Sequence, residues 1–66
     1  MDPTANLKEQ LTLSATIQAA YDRDDEPPQI DPGDAARLAE LVLALNEWIR
    51  KDGFLPEQWK RLGARL

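Results

Sequence analysis

The stretch RDDEPPQIDPG, residues 23–33, decides how this chain can be divided. Its three prolines lack the backbone N–H that a helix interior needs, and their rings clash with the preceding turn, so no helix continues through Pro27 and Pro28. What remains is one segment before the prolines and one after, in a chain of 66 residues. So short a chain forms one domain, residues 1–66, with a core that contributes only about 3–5 kcal/mol. A partner or a second copy would add to that.

Before the prolines, LTLSATI at 11–17 alternates apolar and polar residues as a strand does, but LKEQ ahead of it and QAAYDR behind it favour a helix. Leu7, Leu11, Ser14, Ile17 and Tyr21 then share one helical face, and a helix over about 4–22 is expected. Two starts are open. Asp2 with Pro3 can supply a cap and a first helical residue, and Asn6 with Glu9 offers a later capping box.

After the prolines the signal is clearer. Asp31 is a candidate cap with Pro32 at the first helical position, and Leu38, Leu41, Val42, Leu45, Trp48 and Ile49 fill an arc of about 120° on a helix over about 32–52. Leu43 projects from the opposite side with Ala36 and Ala39 beside it, either a lone exposed leucine or a second contact strip. Gly53 stands where a helix ends in the left-handed conformation, Phe54 where an apolar side chain folds back, and Pro56 where a short third helix over about 56–63 can open. The expected fold is all-α: an antiparallel helical hairpin with a short C-terminal helix, dimerising into a small bundle. Residues 23–31 form its acidic, proline-rich interhelical loop, whose one large apolar residue, Ile30, either pins that loop to the core or stands exposed.

Composition removes whole classes of chemistry. The chain has no cysteine and no histidine, so Cys/His zinc sites and His-based catalysis are absent and no oxidising compartment is required. Asp22, Asp24 and Glu26 alternate like the first ligands of an EF-hand, but Pro27 stands where that loop needs glycine and Gly33 where it needs glutamate. Ser14 has no histidine to activate it, and there is no phosphate-cradling glycine loop. No enzymatic activity, cofactor or metal is expected. A net charge of −4 argues against direct nucleic-acid binding, and neither a membrane span nor a targeting segment is visible, so a cytoplasmic protein is expected.

The charge is uneven. Six acids (Asp22, Asp24, Asp25, Glu26, Asp31, Asp34) against Arg23 give residues 22–34 a charge of −5. Five bases (Arg50, Lys51, Lys60, Arg61, Arg65) against Glu47, Asp52 and Glu57 give residues 47–66 a charge of +2. Solvated charge that keeps a small protein soluble accounts for this, and so does attraction within one molecule or between two. Asp22, Asp24, Asp25 and Glu26 are also candidates for imitating a nucleic-acid backbone.

Leu55, Trp59, Leu62 and Leu66 fall at i, i+4, i+7 and i+11, an apolar ridge like those that helices lay into partner grooves. The same residues would serve as core. With Leu43 they are the candidates for partner contact.

Residues 41–59, LVLALNEWIRKDGFLPEQW, resemble the C-terminal part of small uncharacterised proteins encoded by bacteriophages and prophages. In those, an amphipathic helix with a tryptophan in its last turn is followed by glycine, Phe-Leu-Pro and a second aromatic. The matching positions are Leu41, Leu45, Trp48, Gly53, Phe54, Leu55, Pro56 and Trp59. The resemblance lends no activity but implies a setting in which small proteins bind host proteins and inhibit or redirect them. The expected function is therefore a non-enzymatic protein-interaction module, with a self-assembling helical unit and an acidic nucleic-acid mimic as alternatives.

Overall fold

The computed structural model describes residues 1–23 and 27–63, with side chains as far as Lys60. It is all-helical: α1 (Pro3–Asp22), α2 (Pro32–Arg50) and α3 (Glu57–Gly63). α1 and α2 form an antiparallel hairpin, because Asn6 meets Leu41 and Glu9 meets Arg37. Nearer the turn, Ile17 and Ala20 stand around the same small depression as Ile30 and Asp34.

The caps explain where the helices begin. The Asp2 carboxylate accepts from the Thr4 and Ala5 N–H groups at 3.0 and 3.1 Å, satisfying two donors that an uncapped first turn leaves free. Pro3 follows at the first helical position, so the earlier of the two possible starts is the one used. Asp31 does the same for α2, accepting from the Gly33 N–H at 2.7 Å ahead of Pro32.

Asn6, free of capping, turns inward. It is buried, and its amide donates to the Leu41 carbonyl at 3.1 Å while Gln10 donates to the Asn6 amide oxygen at 2.6 Å. This polar contact corrects the face expected for α1. Leu7 is buried and Ile17 half-buried, but Leu11 and Tyr21 are 57% and 60% exposed and Ser14 is exposed as well. The inward side instead follows Asn6, Gln10, Leu13, Ile17 and Ala20. Apolar residues are scattered around α1, so their spacing specifies its rotation weakly; the Asn6 amide and the small Ala20 specify it better.

On α2 the expected arc holds its centre: Leu41 and Leu45 are buried, and Leu38, Trp48 and Ile49 half-buried. Val42, at the edge, is 46% exposed. Among the described residues the buried apolar core is Leu7, Ala20, Leu41 and Leu45, with Pro3 and Pro56 fully enclosed as well.

Across the outer edge of the hairpin, Arg37 grips Glu9 through two hydrogen bonds of 2.7 and 3.1 Å. The Arg37 hydrogen bond, with its charge in support, holds the Glu9 carboxyl below its ordinary value of 4.5. A carboxyl lowered on folding adds stability that is present above the unfolded value and lost as pH falls through the folded one. Melting temperature should therefore fall as pH drops below about 4.5, and Glu9→Gln should flatten that limb of the curve. An identical acid limb in the variant would remove the pair from the stability of the hairpin.

Candidate interaction surface

The surface is organised by the way the chain reverses after α2. The expected left-handed glycine is displaced by one residue: Asp52, not Gly53, has positive φ, at 63°. The Asp52 N–H donates to the Ile49 carbonyl at 3.1 Å and the Gly53 N–H to the Trp48 carbonyl at 2.9 Å, the paired bonds of a Schellman ending. α2 accordingly stops at Arg50, short of the expected boundary near 52.

Gly53 is required for a different reason. The Trp48 indole lies against it, and a Cβ there would stand 2.4 to 2.6 Å from three indole atoms. The indole N–H then donates to the Phe54 carbonyl at 2.9 Å, and the Phe54 ring meets the indole edge to face at 5.3 Å between centroids. Phe54 thus folds back as expected, yet it stays 59% exposed because it covers only one side of the indole. Lys60 holds its ammonium 6.0 Å from the Phe54 ring centroid.

Pro56 also sits one residue outside its expected place, just before α3, where its carbonyl accepts the Trp59 and Lys60 N–H groups. The start of α3 is fastened to the start of α1. The Glu57 N–H donates to the Thr4 hydroxyl at 3.0 Å, and the Gln58 amide donates to the Thr4 carbonyl at 3.2 Å. The Gln58 amide oxygen is buried and has no hydrogen-bond partner among the described residues. Thr4 and Asn6 escape a sequence reading because polar residues near a helix start are read first as caps.

This fastening carries Trp59 over the end of the hairpin. Trp59, Gln10, Val42, Leu45, Asn46 and Ile49 line a groove of about 220 Å³. A second, more open depression of about 330 Å³ lies on the far side of α2, lined by Met1, Ala44, Glu47, Trp48 and Lys51. Both walls are mainly apolar, and the charged side chains of the second, Glu47 and Lys51, pair with each other at 3.4 Å.

The expected ridge is only partly a helical one. Leu55 precedes α3 and sits in the extended segment leading to it, 40% exposed, while Trp59 is on α3 and 36% exposed. The Leu62 side chain and Leu66 lie outside the described residues, so the ridge reduces here to those two. Leu43 projects outward as its spacing predicts, 68% exposed. Of the acidic candidates, Asp22 is exposed at the end of α1, where Gln18 approaches its carboxylate at 3.4 Å; Asp24, Asp25 and Glu26 lie outside the described residues. Among the described residues no three acidic side chains converge as a metal site would need, and no helix is long and apolar enough to cross a membrane.

No protein-family model, curated protein or solved structure matches the chain.

Proposed function

We propose that this chain is a non-enzymatic protein-interaction module, of the kind phages use to occupy a host protein in the cytoplasm and inhibit or redirect it. One observation carries the reading. The turn after α2 presents Phe54 and Leu55 outward, 59% and 40% exposed, on a backbone held by the Schellman ending and the Trp48 indole. Rigidly held aromatic and aliphatic side chains bind without first being ordered, which is what interface hot spots require. The phage setting rests on the resemblance of residues 41–59 alone.

The test is affinity capture from a bacterial lysate, followed by titration of the purified partner against variants. Phe54→Ser and Leu55→Ser should each weaken binding about 5- to 30-fold, since each removes a contact of about 1–2 kcal/mol, with the helical circular dichroism unchanged. Equal affinity of both variants for the partner would overturn the reading, as would a lysate that yields none.

A further inference from the structure

We infer that the open flank of the α1–α2 hairpin is the docking surface for a second copy of this chain, laid end for end so that the two hairpins form a four-helix bundle. The Glu9–Arg37 pair marks one flank of the hairpin. The groove under Trp59 opens on the other. Along that second flank α1 offers Leu11, Ser14 and Tyr21, and α2 offers Ala35, Leu38 and Val42. Leu11, Tyr21 and Val42 are 57%, 60% and 46% exposed. Among the described residues α3, only seven residues long, reaches no further than the end near Val42 and Ile49.

Charge is missing from this flank. The chain holds eight basic and twelve acidic residues, yet the positions of α1 and α2 that share the flank, spaced three and four apart, include none of them. Interface centres are depleted of charge in the same way, because a desolvated charge without a partner costs several kcal/mol. A partner that recognised this flank through ion pairs would find nothing to pair with. A second copy brings an equally neutral face, so two chains of net charge −4 can meet there without burying like charges.

The dimensions fit as well. The open part of this flank, about 15 Å along the helices from Leu11 to Tyr21 and 24 Å across, presents about 360 Å² per chain, the scale of a weak, concentration-dependent contact. The molecule is only 15 Å through its thinnest direction, little more than one helix with its side chains. Charge then selects the orientation. Among the described residues, same-end docking would set Asp22, Asp31 and Asp34 of the two copies beside each other, whereas end-for-end docking sets them beside the end that holds Arg50, Lys51 and Lys60.

This inference shares its premise, uncovered apolar surface, with the partner-binding reading but uses different residues, so the two fail separately. Sedimentation equilibrium of the 66-residue chain should give twice its 7.4 kDa mass at concentrations on the order of 100 μM. Val42→Glu and Leu11→Glu, each placing a charge on the neutral flank, should weaken self-association by at least about 100-fold, with helical circular dichroism retained in at least one of them. Leu43→Glu, on the opposite side of α2, should leave the mass doubled. A single-chain mass for the wild type at every concentration overturns the inference, and so does a dimer that Leu43→Glu dissociates and the flank variants do not. Spin labels on Arg23→Cys should lie about 30 Å or more apart in the end-for-end dimer. A separation under about 20 Å would overturn the orientation.

Discussion

Replacing Leu45 by alanine is expected to remove most of the helical circular dichroism at 25 °C. Leu45 is 4% exposed, and the buried apolar core among the described residues comprises only it, Leu7, Ala20 and Leu41. Truncating a buried leucine costs about 2–5 kcal/mol, through lost transfer energy and the cavity left behind. That is as large as the whole stability a core of this size supplies, about 3–5 kcal/mol. Leu43→Ala, two residues and about 200° around the helix from Leu45 and 68% exposed, should change stability by no more than about 0.5 kcal/mol. The contrast between two leucines on one helix separates burial from helix propensity, which is the same for both substitutions. Should Leu45→Ala melt within a few degrees of the parent, the packed face of α2 is not the one described.

Gly53→Ala should be the most damaging change of a single methyl group. Its Cβ would enter the Trp48 indole, and the ring is tied by its N–H to the Phe54 carbonyl, so relief requires breaking that bond or moving the turn. Overpacking of this kind costs about 1–3 kcal/mol, a fall of roughly 5–20 °C in melting temperature for so small a domain. The neighbouring substitution runs the other way. Asp52 holds φ at 63°, a conformation in which glycine meets no Cβ penalty, so Asp52→Gly should raise stability by about 0.5–1 kcal/mol. Thermal melts of the pair decide between the two roles. A Gly53→Ala protein as stable as the parent would show that the indole does not lie where it is placed, and a destabilised Asp52→Gly would show that the carboxylate has a role beyond the turn.

The same two residues show how far a sequence reading reaches. Asp-Gly after a helix announces a stop, and the stop is there; which of the two takes the left-handed conformation depends on Trp48, which needs the space above Gly53. α1 teaches the same lesson. Its existence and its Asp2–Pro3 start are local matters of capping and proline, whereas its rotation depends on Asn6 finding a carbonyl on α2. Residues with a local alternative, such as an asparagine near a helix start, are the ones a one-dimensional reading assigns to the wrong task.

For the candidate surface, Leu55 and Trp59 of the expected ridge stand exposed, but how they are grouped was not legible in the sequence. Leu55 and Trp59 are four apart, but α3 begins between them, and Trp59 ends up over α2 because Thr4 holds Glu57 and Gln58. Three helices, the Asp31 cap, the proline break and the outward aim of Leu43 follow from the sequence by itself, because each depends on interactions within a few residues along the chain. The turn of α1 about its axis, the seat of Trp48 on Gly53 and the neutral flank left open beside α3 were decided only in the tertiary structure. Each depends on which distant groups meet once the helices pack, and local spacing carries no record of that.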